Sequence, residues 1–164
     1  MRQLADRKTV KPEAMLKEGD KAPPIHGTDQ DGKPVSLSEY TGKKLVLYFY
    51  PKDNTPGCTA QACSLRDRHE ELLRSGHEVL GVSPDSERKH RNFIKKYALP
   101  FRLLSDPEKR TINAYGVWGR KKFMGIEFDG VIRTTFVIDE RGVIERIIRD
   151  INTKQHAGQV LQEA

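Results

Sequence analysis

Cys58 and Cys63 are the only cysteines in a chain of 164 residues, and four residues separate them. Thiols so placed can act as a nucleophile and its disulfide partner, as metal ligands, or as small buried apolar groups. The surroundings favour the first reading. In LVLYFYPKDNTPGCTAQACSLRD, residues 45–67, an unbroken apolar and aromatic run stops at Pro51, and a polar turn over 52–57 delivers Cys58. The run has the form of a strand buried on both faces of a sheet. From Cys58 onward, Leu65, Leu72 and Leu73 recur at helical spacing, up to Ser75 and Gly76. A thiol at a strand-to-helix corner sits beside unpaired backbone N–H groups and the positive end of the helix dipole. Both favour an anion, and thiolate is the nucleophilic form of cysteine.

If the two cysteines share one ideal helix, their Cα atoms lie ~8.7 Å apart, turned by ~140° around the axis. A disulfide needs less than about 6.8 Å. The pair cannot close while the helix is intact, so the spacing predicts a helical reduced form and a locally unwound oxidised form. Zinc is the other chemistry to weigh, since Cys-x4-Cys spacing alone does not exclude it. His26, His69, His77, His90 and His156 form no closely spaced ligand pair, and no metal or cofactor is expected.

The elements that must position these thiols read as follows. Residues 25–39 contain the Asp31-Gly32 pair between two short extended pieces, which predicts an N-terminal β-hairpin. Strands are expected at 45–50, 77–83 and 101–104, and helices at 58–75, 86–98 and from Asp106-Pro107 to Gly116, with Ile112, Ala114 and Tyr115 facing inward. Residues 117–130 read as a long loop rich in glycine and aromatics. Residues 132–138 and 143–148 form a closing hairpin around a turn at 140–142, and Thr153 caps a last helix with Ala157, Val160 and Leu161 inward. Alternation of strands and helices predicts an α/β fold with parallel pairing at the centre of its sheet.

At 36% hydrophobic residues the composition suits one domain, 15–164, preceded by a flexible basic tail over 1–14. The net charge is +6, and half of it comes from Arg2, Arg7, Lys8 and Lys11 set against Asp6. Elsewhere bases alternate with acids, as on a solvated helix face, and no basic motif interleaved with aromatics accompanies them. No nucleic-acid partner is expected. No run approaches the ~18 continuous apolar residues of a membrane span, and no apolar run forms a signal peptide. The expectation is a cytoplasmic protein without a membrane partner.

FYPKDNTPGCT closely resembles the peroxidatic motif of the peroxiredoxins, Pro-x3-Thr-x2-Cys, here Pro51, Thr55 and Cys58. With a second cysteine five residues on, it is similar to the peroxiredoxin Q or bacterioferritin comigratory protein branch. The likeness continues through GDKAP at 19–23, GVSPDS at 81–86, LLSDPEK at 103–109, AYGVWG at 114–119 and IRTTFVID at 132–139. The resemblance implies a thioredoxin-like fold, with a central mixed β-sheet flanked by helices, and a thiol-dependent peroxidase serving antioxidant defence. Its substrates would be hydrogen peroxide and organic hydroperoxides. Cys58 would become a sulfenic acid, Cys63 would resolve it as a disulfide, and thioredoxin or a similar dithiol protein would reduce the pair. Thr55 and the Cys58 N–H would hold the peroxide, Pro51 would shield it, and Arg133 would stabilise thiolate and transition state.

Chemistry supports these roles independently, because peroxide cleavage moves charge onto the leaving oxygen, where fixed donors help the transition state most. One departure is Gln61, where many family members carry glutamate; the amide can hydrogen-bond but adds no charge. Tyr50 and Trp118 are expected in core or rim. Two rivals have other signatures: a protein disulfide oxidoreductase would carry Cys-x-x-Cys, which is absent, and a basic binding protein would keep the scaffold without the chemistry. The chain is expected to act as a monomer or weak homodimer.

Overall fold

A computed structural model describes residues 15–163, so the tail expected over 1–14 lies outside the described residues. The apolar run becomes strand β2, Lys44–Phe49, near the middle of a six-stranded sheet. Its companions are β1 (Thr28–Asp29), β3 (His77–Ser83), β4 (Arg102–Ser105), β7 (Thr134–Ile138) and β8 (Ile144–Ile148), in the order β1-β4-β3-β2-β7-β8. The pairs β2/β3 and β3/β4 are parallel, and β1/β4, β2/β7 and β7/β8 are antiparallel. The sheet is therefore mixed, with its parallel part at the strand that leads to Cys58.

Both faces are covered. Leu45, Leu47 and Phe49 join Leu80, Val82, Leu104 and Phe136 on one face, closed by Ile112 and Tyr115 and by the N-terminal segment through Ala22, Ile25 and Tyr40. Val46, Tyr48 and Tyr50 join Val79 and Leu103 on the other. That second face is covered by α1 (Pro56–Asp67), α2 (His69–Arg74), α3 (Glu87–Tyr97) and α5 (His156–Leu161), through Cys58, Leu65, Leu72, Phe93 and Val160. Alternate residues of β2 thus supply two separate cores, which is why its sequence shows no polar alternation. Among the described residues no helix is long and apolar enough to cross a membrane.

The Asp31-Gly32 turn closes as expected: Asp29 N donates to Lys33 O at 2.8 Å, Thr28 bridges Pro34, and β1 also zips onto β4. Several expectations are corrected. The helix after the turn begins at Pro56 and breaks at Arg68, and Leu73 is 43% exposed while Leu72 is buried. Neighbours on a helix point about 100° apart, so only one of the two leucines can face the sheet. The helix expected from Asp106-Pro107 is the short α4, Arg110–Ala114, because the Asp106 carboxylate accepts from Arg110 N and Ile112 N and fixes its start there. Ala114 is exposed rather than inward. Thr153 does not cap the last helix: it opens a 3-10 turn, Thr153–Gln155, in which the Asn152 side chain accepts from Lys154 N, and α5 follows with Gln155 at its cap position and no side-chain cap.

The largest difference is the loop expected over 117–130. It is a two-stranded hairpin, β5 (Trp118–Phe123) and β6 (Ile126–Val131). Its turn is Met124-Gly125, both with positive φ as a two-residue hairpin requires. One face carries Arg120 paired with Glu127 and Asp129. Charge on that face, and glycine and lysine set among Phe123, Ile126 and Phe128 on the other, interrupt the period-2 signal.

Candidate active site

The polar turn after β2 starts α1 two residues ahead of Cys58. Thr55 has extended backbone at the cap position, and Pro56 occupies the first helical position, where its missing N–H costs nothing. The Thr55 hydroxyl does not cap the helix; it donates back to Lys52 O at 2.9 Å, leaving its lone pairs free to accept. The first helical bond is Thr59 N to Thr55 O at 2.8 Å. Among the described residues the N–H groups of Gly57 and Cys58 have no acceptor. They are donors aimed out of a helix N-terminus, an arrangement suited to an anion.

Cys58 is 1% exposed. Arg133, from the link between β6 and β7, brings its guanidinium over the helix start. Nη2 donates to Cys58 Sγ at 3.4 Å and Nη1 to Gln61 Oε1 at 2.6 Å. One planar fork thus spans positions i and i+3 of α1, a grip that a lysine ammonium could not reproduce. Gly57 makes room for it: a Cβ there would lie 3.2 Å from Arg133 Nη2. Pro51 ends the strand and is half-buried. Cys63 lies further along the same helix, half-buried, and both cysteines are free thiols.

The structure therefore brings Cys58, Arg133, Thr55 and Gln61 to one corner and keeps Cys63 on the helix. The two outlying aromatics are not at the thiol. Trp118 is half-buried against the opposite core, with Lys109 4.9 Å above its ring. Tyr50 is buried, and its hydroxyl donates to Asp53 Oδ1 at 2.5 Å.

Sequence reasoning missed two groups. Lys121, on the hairpin face opposite the Arg120 ion pairs, donates to Val131 O at 2.7 Å. Burial, and then the charge of Arg133, hold its ammonium below the usual lysine range. Only recognition of the hairpin would have placed it. The second group is Asp53 with His90, joined at 2.6 Å from His90 Nδ1 to Asp53 Oδ2. The available signal was a histidine on the stripe His90, Phe93, Tyr97, the inward face of α3. Asp53, Asp85 and His90 offer atoms within 4.8 Å of one another, as a metal site would. Both ring nitrogens of His90 are already spent, on Asp53 and on Leu104 O.

The AhpC/TSA family model matches residues 18–147, most of the chain. The chain is a peroxiredoxin of this family. It is similar to peroxiredoxin Bcp of Escherichia coli strain K12, 47% identical over 146 residues, which span 89% of this chain and 94% of that protein. Peroxiredoxin Bcp of Bacillus subtilis strain 168 is 46% identical over 144 residues, 88% of this chain and 92% of its own. Among solved structures, peroxiredoxin Q of Xanthomonas campestris aligns with a TM-score of 0.79 at 32% identity, covering 90% of this peroxiredoxin and 93% of that chain. A bacterioferritin comigratory protein of X. campestris, described for its alkyl peroxide reduction activity, aligns with a TM-score of 0.80 at 31% identity, covering 89% and 96%.

Proposed function

We propose that Cys58 is the peroxidatic nucleophile of this peroxiredoxin, that Cys63 resolves it, and that Arg133, Thr55 and the free N–H groups of α1 hold the peroxide. The enzyme is a thiol-dependent peroxidase. The observation that carries the residue roles is the Arg133 fork on Cys58 Sγ at a helix start whose N–H groups are unspent. In the first step the Cys58 thiolate attacks the terminal oxygen of a hydroperoxide. An S–O bond forms, the O–O bond breaks, sulfur loses two electrons, and the alkoxide or hydroxide leaves and takes up a proton. The Gly57 and Cys58 N–H groups and Arg133 donate to oxygens that gain charge, while the Thr55 hydroxyl oxygen accepts a hydrogen bond from the hydroperoxide O–H, which stays on the oxygen transferred to sulfur.

In the second step the Cys63 thiolate attacks the Cys58 sulfenic sulfur. The S–S bond forms and hydroxide departs as water after protonation. On an intact α1 the Cα atoms are ~8.7 Å apart, so the first turns must open. They hold few anchors: Cys58, Gln61 and Ala62 are buried there, and Leu65 is the first large apolar side chain. A dithiol protein of the thioredoxin type then reduces the disulfide by exchange. Hydrogen peroxide and organic hydroperoxides are the substrates in this reading, residues 15–164 work as one domain, the chain acts as monomer or weak homodimer, and its place is the cytoplasm.

The test is to mix reduced protein with one equivalent of hydrogen peroxide and count thiols. Prompt loss of two thiols per chain is expected; no loss overturns the reading.

A further inference from the structure

The turn between β2 and α1 is held almost entirely from one side. Its residue Asp53 receives the Tyr50 hydroxyl on Oδ1 at 2.5 Å and faces His90 Nδ1 with Oδ2 at 2.6 Å. Its backbone N–H donates to Asp85 Oδ2 at 2.7 Å, and Asp85 also receives the Ser83 hydroxyl at 2.8 Å. The next residue, Asn54, has φ of +63°, a left-handed conformation uncommon outside glycine. Its Oδ1 accepts from Lys96 Nζ and from the Tyr97 hydroxyl, each at 3.2 Å. His90, Lys96 and Tyr97 all belong to α3, so one helix grips two consecutive residues just ahead of Thr55 and Cys58.

The chemistry of His90 explains why this grip is tight. Its Nε2 faces Leu104 O at 2.9 Å, and a carbonyl only accepts, so Nε2 carries a hydrogen. Its Nδ1 faces a carboxylate oxygen, so one further proton lies between His90 and Asp53. Counted together, the pair with that proton is neutral, and every polar atom of the ring has a partner. His90 is 0% exposed and Asp53 8%. A buried pair fully satisfied in this way is specific to one geometry, and removal of either member leaves the other unpaired.

We propose that His90 is a positioning residue for the peroxide site. Through the proton it shares with Asp53, it bolts the turn to α3 and so favours the helical, peroxide-reactive form of Cys58 over the unwound form that Cys63 can reach. The proposal rests on the cysteine roles given above. A loosened clamp has opposite effects on two steps. The peroxide step slows because Thr55 and the α1 donors lose their alignment. Resolution is unchanged or faster, because the unwound form is more accessible, and less Cys58 is over-oxidised to sulfinic acid in excess peroxide.

The test compares wild type, His90→Phe, His90→Gln and Tyr97→Phe by rapid-quench thiol counting and by mass spectrometry of Cys58. His90→Phe is expected to slow the peroxide step on the order of tenfold, the scale of a lost alignment, and to lower the sulfinic yield per turnover. His90→Gln, which keeps one hydrogen bond, should fall between it and wild type. Tyr97→Phe removes only a hydroxyl from the far end of the clamp and should move both quantities the same way by less, which serves if His90→Phe fails to fold. A folded His90→Phe with wild-type peroxide rate overturns the proposal, as does a Tyr97→Phe that raises the sulfinic yield. The wild-type run separates the two readings. If it loses two thiols per peroxide, a null result in the variants counts against the clamp alone; if it loses none, the cysteine roles fall and the clamp with them.

Discussion

The two ends of the active-site turn are built in opposite ways. On the β2 side, Tyr50 and Asp53 are tied into a buried cluster with Asp85 and His90, Asn54 is tied to Tyr97 at the surface, and every named side chain has a hydrogen-bond partner. On the α1 side, the Gly57 and Cys58 N–H groups and the buried Gln61 Nε2 are unpartnered among the described residues, and Cys58 is held by a single arginine. The Tyr48 hydroxyl, buried in the same core as Cys58, is unpartnered as well. The contrast teaches where rigidity belongs in this catalyst. Unspent donors are what a peroxide can use, and a weakly anchored helix start is what a resolving cysteine needs; neither is safe unless the chain just before them is fixed.

Breaking the α1 side at its centre should have the largest effect. Cys58→Ser should abolish peroxide consumption, whereas Cys63→Ser should still form a sulfenic acid, trapped by dimedone, and lose turnover with thioredoxin. Arg133→Lys keeps the charge and loses the fork across Cys58 and Gln61. Its peroxide step, followed under single-turnover conditions, should slow on the order of 10²-fold, as when one preorganised donor is removed. A rate equal to wild type would place the decisive cation elsewhere.

Leu65→Ala sharpens the comparison in energy rather than rate. Leu65 is the first large apolar anchor of α1, so its loss should cost about 2–5 kcal/mol in urea unfolding and raise amide exchange over 59–67. The smallest effect expected is on pH. Burial holds His69, His77 and His156 below the usual imidazole range. Unfolded, these rings titrate at about 6.5, so below that pH the unfolded chain binds protons that the folded chain does not. The stability they contribute is full above pH 6.5 and is lost as the pH falls from there toward the lower folded values. A thermal midpoint that rises on acidification from pH 7.5 to 5.5 would contradict that sign.

Much of this was legible in the sequence, for reasons that differ between residues. The strand at 45–50 announces itself because both its faces are buried, whereas the helix starts two residues ahead of the expected Cys58, since proline suits a first helical position although Pro56 and Gly57 read as turn residues. Arg133 came only with the resemblance to a family, since an arginine ahead of a strand is ordinary by composition. The hairpin over 117–130 was hidden because its turn uses Met124 where asparagine is usual and because Gly119, Lys121 and Gly130 interrupt the apolar face they share with Phe123, Ile126 and Phe128. The pairing of His90 was missed for another reason. Its partner Asp53 lies 37 residues away, Asp53 reads as a turn acid and His90 as part of a charged helix, and only the parallel pairing of β2, β3 and β4 brings the two together. Thr153 gave way to Asn152, which caps the 3-10 turn ahead of α5, because both residue types can cap and spacing does not choose between adjacent residues.

The most direct test of a fixed turn joined to a releasable helix is hydrogen exchange of the backbone amides in reduced and peroxide-oxidised protein. Oxidation should strip protection from 59–66 while the amides of Tyr50 and Asp53 and those along α3 keep theirs. Unchanged protection over 59–66, or a loss that spreads equally through Asp53 and α3, would contradict the account.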